Sequence, residues 1–312
     1  MKKFLFIIDP FSRLQLEKDT SVLMINEALR RGYQTYTTTA SLISRFPESL
    51  RALVSRHQNL IGKSVSIKED KDEVADLSEF DLIIIRKDPP FDESYLALCL
   101  LLRGLSGPRV VNNPDSLLRY NEKLTILLFP QYITNTIVSC RSPRIADFID
   151  RVGGKGVAKP LFQCSGRGIK LLDRADPGFS DELTALTACD SRHIMVQKYL
   201  PAVQGGETRV FMLEDRIVSV MKKIPRAGSF KANFDCGARG VAVELGPRDR
   251  RICSEVGEFC RKEGILLSAL DIIDGNLSEI NITSPGLLVE ANQVNKASTE
   301  REIIEFLGSC RN

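Results

Sequence analysis

Residues 270–281 read Leu-Asp-Ile-Ile-Asp-Gly-Asn-Leu-Ser-Glu-Ile-Asn, two runs of strand-forming residues around an Asp-Gly-Asn turn. If the loop is three residues long, Asp271 lies opposite Glu279 in an antiparallel ladder. Because side chains alternate along a strand, Glu279 and Asn281 then share a face with Asp271. Two carboxylates and an amide oxygen on one face suit Mg²⁺. The alternative is a surface hairpin whose acids are solvated.

The composition is typical of an ordinary globular protein. The 312 residues are 43% hydrophobic and 27% charged, which fits two or three packed subdomains. A formal net charge of +3, with basic residues interspersed among acidic ones, argues against a nucleic-acid partner. No apolar run reaches membrane length, and the first one is too short for a signal peptide. We therefore expect neither nucleic acid nor membrane as a partner.

Cysteine and histidine usage narrows the chemistry. The eight cysteines are scattered and form no Cys-x-x-Cys pair, which argues against a zinc cluster. Without a secretion signal, they indicate reduced thiols and a cytoplasmic protein. Cys164 and Cys236 are expected to be inert small residues. Neither of the two histidines lies in a motif, so we expect Lys, Arg, Asp and Glu to carry the chemistry.

The first 120 residues are predicted to be α/β units around a mostly parallel sheet. Strands are expected at residues 3–9, 81–86 and 109–112, with helical patterns between them and a first helix over 21–31. Ligands of open α/β sheets bind beyond the carboxyl ends of the strands. Here those ends carry polar residues stiffened by prolines, at 9–10, 86–92 and 112–114. This pattern indicates a preorganised polar site.

The rest of the chain divides into a glycine-punctuated part at 121–192 and a strand-dominated part at 193–312. Lys159 ends a predicted short strand just ahead of a flexible loop at 163–168, so it can hold phosphates while that loop closes. Residues 153–156 lack the Ser/Thr and the helix of a nucleotide loop and are predicted to be a turn. A helix is expected over 247–264.

Further along, residue types suited to a nucleotide follow in order. Glu207 can bind ribose hydroxyls, and Arg209 can contact a transferring phosphoryl group. The segment before them can frame a purine through its backbone: Gln197, Lys198, Tyr199 and Leu200. Each of these residues could equally be an ordinary surface residue. Their order along the chain, however, matches the parts of a Mg-nucleotide site that lacks a Walker loop. The missing Gly-x-Gly-x-x-Gly argues against a Rossmann oxidoreductase.

This series resembles the ATP-grasp ligases, specifically the bacterial type of glutathione synthetase, over nearly the whole chain. The most specific matches are residues 86–92 (Arg-Lys-Asp-Pro-Pro-Phe-Asp), 121–124 (Asn-Glu-Lys-Leu) and 279–285 (Glu-Ile-Asn-Ile-Thr-Ser-Pro). The resemblance implies an N-terminal open parallel-sheet domain at 1–120, the pre-ATP-grasp domain. It also implies ATP-grasp α+β subdomains at 121–192 and 193–312, the first a lid and the second bearing the hairpin.

The resemblance also implies ATP and Mg²⁺, or Mn²⁺, as cofactors, and ligation through an acyl phosphate of γ-glutamylcysteine to glycine. It implies small-molecule peptide and amino-acid substrates and a homo-oligomer, tetramer or dimer. The implied catalytic residues are Arg209, Asn233 and Arg239, and the metal ligands Asp271, Glu279 and Asn281. ATP would contact Lys123, Lys159, Gly166, Gly168, Gln197, Lys198, Tyr199, Leu200 and Glu207. Substrate would contact Asp9, Lys18, Arg86, Ser284, Pro285 and Gly286.

Departures from the family pattern keep the acceptor open. Lys231 and Ala232 stand where Arg-Gly is usual, Gly286 stands where Thr is usual, and loop 163–168 lacks its usual acid and Gly-Gly pair. A ligase for a different amino acid or peptide acceptor is therefore the nearest alternative. A non-catalytic ATP-binding module is the second, and it would bind nucleotide without turnover.

Overall fold

The computed structural model describes residues 1–62 and 70–309, and its first sheet is mostly parallel at the centre. The order is β3-β4-β2-β1-β6-β7, with β5 on β4, and β1 pairs in parallel with β2 and β6. The strands are β1 Lys3–Ile8, β2 Gln34–Thr38, β3 Ile43–Arg45, β4 Leu50–His57, β5 Asp70–Asp76, β6 Leu82–Arg86 and β7 Arg109–Val111, and the helices are α1 Thr20–Arg30, α2 Glu93–Leu102 and α3 Pro114–Arg119.

The central strands are buried on both faces, as a parallel sheet covered on both sides requires. Alternate residues of β1 enter two different cores: Leu5 and Ile7 pack in one, and Phe4 and Phe6 in the other. Helix α1 begins where Asp19 accepts hydrogen bonds from the backbone N–H groups of Ser21 and Val22. The predicted strands at 3–9, 81–86 and 109–112 and the first helix are confirmed within one residue at each end.

Between α1 and β6 the prediction of helical patterns is wrong, because the chain forms β2 to β5 there. Strand β2 is rich in threonine, and β4 alternates between buried and exposed positions over most of its length. Both features favour strands, since β-branched residues and a period of two fit a pleated sheet. β4 pairs antiparallel with β2, β3 and β5, which makes the sheet mixed at this edge.

The second sheet is antiparallel, with the order β10-β9-β11-β8. Its strands are β8 Thr136–Ser139, β9 Lys155–Pro160, β10 Lys170–Asp173 and β11 Ile194–Lys198, and its helices are α4 Ser142–Arg151 and α5 Phe179–Leu186. Strand β11 belongs to this sheet, although the sequence analysis assigned residues from 193 onward to the next subdomain. Lys159 lies in β9, directly before the loop at 163–168, as the sequence predicts.

The third sheet is also antiparallel, with the order β14-β13-β12-β15-β16. Its strands are β12 Glu207–Leu213, β13 Arg216–Ile224, β14 Arg239–Val241, β15 Leu267–Ile273 and β16 Asn276–Asn281, and its helices are α6 Pro247–Lys262, α7 Leu288–Asn295 and α8 Thr299–Ser309. The core that holds Leu5 also holds Val210 and Leu270, so the first and third sheets pack together. None of the helices in the described residues is long and apolar enough to cross a membrane.

Candidate active site

A cavity of about 650 Å³ lies where elements of the three sheets meet, within the range typical of small-molecule sites. One wall comes from the segment between β1 and α1, and another from loop 163–168. The remaining walls come from the 197–200 segment, the loop between β13 and β14, and the β15–β16 hairpin. Of the predicted site residues, those that line the cavity are Lys18, Lys123, Lys159, Gly166, Gln197, Lys198, Tyr199, Leu200, Glu207, Arg209, Asn233, Asp271, Glu279, Asn281, Ser284 and Gly286.

The β15–β16 hairpin pairs Asp271 with Glu279, as predicted, but by a different route. The turn has two residues, Asp274 and Gly275, with φ of 48° and 70°, and Asn276 already belongs to β16. The register shifts after Asp271, because Ile272 pairs with Leu277. One extra residue, Ser278, therefore stands in a bulge that restores the Asp271–Glu279 pair.

Asp271 is the centre of a buried charge network. Arg209 binds it with two parallel hydrogen bonds, Nε to Oδ1 at 3.0 Å and a terminal nitrogen to Oδ2 at 2.6 Å. Lys223 adds a third contact, 3.0 Å to Oδ1, and lies 2.8 Å from Glu207. Burial acts to raise the pKa of Asp271, but Arg209 and Lys223 outweigh it and hold that pKa well below the usual range.

Two further lysines approach the hairpin from the second sheet and the segment before it. Lys123 donates to Glu279 at 2.9 Å and to the carbonyl of Gln163 at 2.6 Å. Lys159 donates to the hydroxyl of Ser278 at 2.8 Å and to its carbonyl at 3.2 Å, so the bulge supplies its acceptors. Burial lowers the pKa of Lys159. For Lys123 burial acts the same way, but Glu279 prevails and its pKa is raised.

The loop at 163–168 touches the loop between β13 and β14 across the cavity mouth. The side-chain amide of Asn233 donates to the carbonyl of Ser165. Gly168 has a φ of 69°, and a Cβ there would lie 2.8 Å from Pro160 Cγ, so the loop needs glycine at this position. These contacts bring two glycine-bearing segments together over the charged hairpin.

Two predicted site residues of the N-terminal part, Arg86 and Asp9, order the chain around the cavity rather than line it. Arg86 is buried and donates to the hydroxyl of Ser21 at 3.0 Å and to the carbonyl of Pro285 at 3.2 Å. Asp9 accepts from the backbone N–H of Asp88 at 2.8 Å. Arg86 thus ties the first sheet to the segment after β16, while Asp9 orders the loop after β6.

Five predicted site residues do not line the cavity. Arg239 opens β14 with an exposed side chain, and Gly168 stands between the lining residues Arg167 and Ile169 without lining the cavity itself. The other three are Asp9 and Arg86 on the N-terminal side, and Pro285 in the segment after β16, whose carbonyl accepts from Arg86.

Lys223 and Glu122 are among the cavity residues that the sequence analysis did not assign to the site. Lys223 lies on the same face of β13 as the buried residues Ser219 and Met221, opposite Glu207. The alternation along β13 could therefore have indicated a lysine that points inward. Glu122 is buried, and its Oε1 accepts from the N–H groups of Ile282 and Thr283. It lies in the quoted stretch 121–124, but nothing in the sequence indicated which groups it binds.

The hairpin oxygens are ligands of the kind that a metal ion needs, but most of them already accept hydrogen bonds. No group of three or more His, Cys, Asp or Glu side chains in the described part of the chain could hold one. Each oxygen of Asp271 already accepts two donors, the fourth being the amide of Asn281 at 3.3 Å. Within the described residues, Glu279 accepts a hydrogen bond from Lys123 through Oε1, and its Oε2 is left to bind a cation. The oxygen donors suit Mg²⁺, with Glu279 the readier ligand.

Two family models match consecutive parts of the chain. The N-terminal domain of prokaryotic glutathione synthetase matches residues 2–118, and its ATP-grasp domain matches residues 122–296. The chain belongs to the prokaryotic glutathione synthetase family. Its similar relatives include the glutathione synthetase of Neisseria meningitidis serogroup B, 36% identical over 293 residues that cover 91% of each chain. That of Gloeobacter violaceus is 34% identical over 312 residues, covering 98% of this chain and 96% of the relative.

Solved structures share the fold of this glutathione synthetase family member. The D-cycloserine synthetase DcsG superposes with a TM-score of 0.68 at 16% identity, covering 97% of this chain and 99% of that one. The ATP-grasp ligase PsnB complexed with a minimal precursor gives 0.65 at 16% identity, covering 99% of each chain. These likenesses show the fold alone. Family membership confirms the resemblance, the α/β ATP-grasp fold class and the prediction of an ATP-dependent C–N ligase of the glutathione synthetase type.

Proposed function

We propose that this chain joins the cysteine carboxylate of γ-glutamylcysteine to the amine of glycine, with ATP converted to ADP and phosphate. The observation that carries the proposal is the set of cations around the hairpin: Lys123, Lys159, Arg209 and Lys223 surround Asp271 and Glu279 in one cavity. Such a set can neutralise a γ-phosphoryl group as it moves to a carboxylate, a step that depends on positioning and electrostatics.

The roles proposed for single residues follow from this placement. Lys123 and Lys159 would exchange Glu279 and Ser278 for phosphate oxygens, and Arg209 would contact the reacting phosphoryl group. Glu207 would take the ribose, although its ion pair with Lys223 must then be shared. Gly166, Gly168 and the 197–200 segment would enclose the nucleotide. Asn233 would close the opposite side with Arg239 behind it.

We propose that Glu279 and Asn281 hold Mg²⁺, joined by Asp271. Asp271 carries four donors, so it must give up one, and ATP phosphates can receive the cation that leaves. The ion would shield the phosphate charge when bound. Asn281 must present its amide oxygen, whereas its nitrogen now faces Asp271.

The donor peptide would lie against the N-terminal side. Lys18 is exposed at the cavity wall and suits a carboxylate, while Arg86 and Asp9 would hold the surrounding loops in place. The acyl phosphate hydrolyses in water, so the touching loops around Ser165 and Asn233 would exclude solvent. Ser284 and Pro285 would flank the acceptor.

One observation favours a different acceptor as the second candidate. A Cβ built on Gly286 meets no atom within 4 Å, so there is space beside this residue. That space can take an amino acid larger than glycine. We retain ligation of another amino acid or peptide as the alternative, to be separated by a screen of amines.

We also propose the domain division 1–120, 121–192 and 193–312, with β11 completing the second sheet across the last boundary. We further propose a cytoplasmic location and a homo-oligomer, tetramer or dimer. The seven cysteines in the described residues are all free, which supports a reducing compartment.

The function is tested with purified protein, ATP, Mg²⁺, γ-glutamylcysteine and glycine, by measuring ADP and the tripeptide mass. We expect ADP release that requires both substrates and is lost in the double variant Asp271→Ala/Glu279→Ala. Unchanged turnover in that variant contradicts the metal assignment. Nucleotide binding without turnover for every carboxylate–amine pair would instead support a non-catalytic module.

A further inference from the structure

Glu290 is an acid of the cavity wall that the proposed reaction does not yet use. It lies in the first turn of α7, four residues after Gly286, and lines the cavity. In residues 1–62 and 70–309 two buried side-chain oxygens lack a hydrogen-bond partner, the hydroxyl of Tyr95 and Oε2 of Glu290. Of these two residues only Glu290 lines the cavity, so an acid with an unpaired buried oxygen is part of the wall around the space that a ligand would fill.

Most other acids that line the cavity already have partners. Glu207 and Asp271 are paired with Lys223, and Glu279 is paired with Lys123. Asp19 and Glu122 accept hydrogen bonds from backbone N–H groups. No ion pair to Glu290 forms within the described part of the chain. A buried acceptor without a donor is unfavourable, and a donor that reaches it recovers that loss.

The chemistry of the cavity indicates which donor is needed. Phosphates and carboxylates suit the lysines and arginines, but an amine that arrives as an ammonium ion is repelled by them. It needs an acid that no lysine or arginine has taken, and it must lose a proton before it can attack. We propose that Glu290 binds the ammonium group of the acceptor amine and takes its proton.

The step rests on the proposed acyl-phosphate function and removes two protons from the acceptor nitrogen. The carboxylate of Glu290 accepts one proton from the ammonium ion and leaves a neutral amine. The amine attacks the acyl carbon, a C–N bond forms, and the C–O bond to phosphate breaks with its electron pair leaving on phosphate. The second proton passes from nitrogen to the departing phosphate.

The surroundings of Glu290 make its carboxylate a stronger base than that of an exposed glutamate. Burial raises its pKa, and the charge of Asp235 adds to the effect. Lys18 and Arg209 act in the opposite direction and favour the carboxylate. A base works best when its pKa approaches the working pH, and such groups contribute about 10²–10⁴ in rate.

The test compares Glu290→Gln with the wild type using two nucleophiles, glycine and hydroxylamine. Hydroxylamine is uncharged at neutral pH and needs no base, so it traps the acyl phosphate as a hydroxamate. We expect kcat/KM for glycine to fall by about 10²-fold at pH 7 while hydroxamate formation is kept. The deficit should shrink as pH rises, because the glycine amine then loses its proton unaided.

Glu300→Gln is the matched control, since Glu300 is a buried carboxylate on the next helix that binds Asn292 and does not line the cavity. It should leave both reactions unchanged. Equal losses with glycine and hydroxylamine in Glu290→Gln, or no loss, would overturn the role of Glu290. Wild-type protein that forms neither product overturns the proposed function, and this inference with it.

Discussion

At the scale of single residues, Asp271 neutralises the buried positive charges of Arg209 and Lys223. Removing its charge by Asp271→Asn leaves Arg209 and Lys223 buried beside a neutral amide. We expect the free energy of unfolding to fall by about 3–5 kcal/mol, as for other broken buried pairs. Urea denaturation measures this. The control is Glu302→Gln, which breaks the exposed Arg216–Glu302 pair at 3.2 Å and should cost about 1 kcal/mol or less.

The difference in unfolding free energy between wild type and Asp271→Asn should depend on pH in a defined direction. The pKa of Asp271 is lower in the folded protein than the value of about 3.9 in an unfolded chain. Its stabilisation is therefore complete above pH 4 to 5 and is lost as pH falls toward the folded pKa. The gap between wild type and Asp271→Asn should stay constant from about pH 5 to 8 and narrow below about pH 4. A gap that widens on acidification would contradict this account.

At the scale of elements, local patterns predicted the hairpin and most strands but missed β2 to β5, and long-range pairing decided the contacts within the site. The hairpin itself was predictable because the alternation and the turn residues are local, but its Asp271–Glu279 register holds only through the bulge at Ser278. The bulge was not predictable, because the residue that binds it, Lys159, is far away in sequence. Likewise, the role of Lys223 depends on its partners across the sheet, Glu207 and Asp271.

Glu122 joins the segment before the second sheet to the residues that follow β16, so its loss should destabilise the protein. Its Oε1 accepts from Ile282 at 2.9 Å, and from the N–H and hydroxyl of Thr283 at 3.0 and 2.7 Å. Glu122→Ala leaves these buried donors unpaired and should cost about 2–4 kcal/mol of unfolding free energy. Glu122→Gln keeps an acceptor oxygen and should recover more than half of that loss in thermal or urea unfolding. Equal losses in both variants would show that charge, rather than the acceptor, matters.

At the scale of the whole molecule, the cavity is formed by elements of three sheets, so a ligand bound there should stabilise all of them together. ATP at 100 times its Kd would add about 2.7 kcal/mol, and Mg²⁺ should increase this if it binds at the hairpin. Glu279→Gln removes the readiest metal ligand but frees Lys123 for phosphate. We therefore expect this variant to keep the shift in unfolding midpoint that ATP causes alone and to lose the increment from Mg²⁺.

The comparison uses thermal unfolding with ATP in the presence of Mg²⁺ or of EDTA, and Glu258→Gln is the control. Glu258 forms an exposed pair with Lys262 at 2.7 Å on α6 and does not line the cavity, so its loss should change neither shift. Because the readout is binding, it tests the metal site even if turnover requires an acceptor other than glycine. If Mg²⁺ stabilises Glu279→Gln and the wild type equally in the presence of ATP, the ion is held by the phosphates alone and the hairpin serves only to order the lysines.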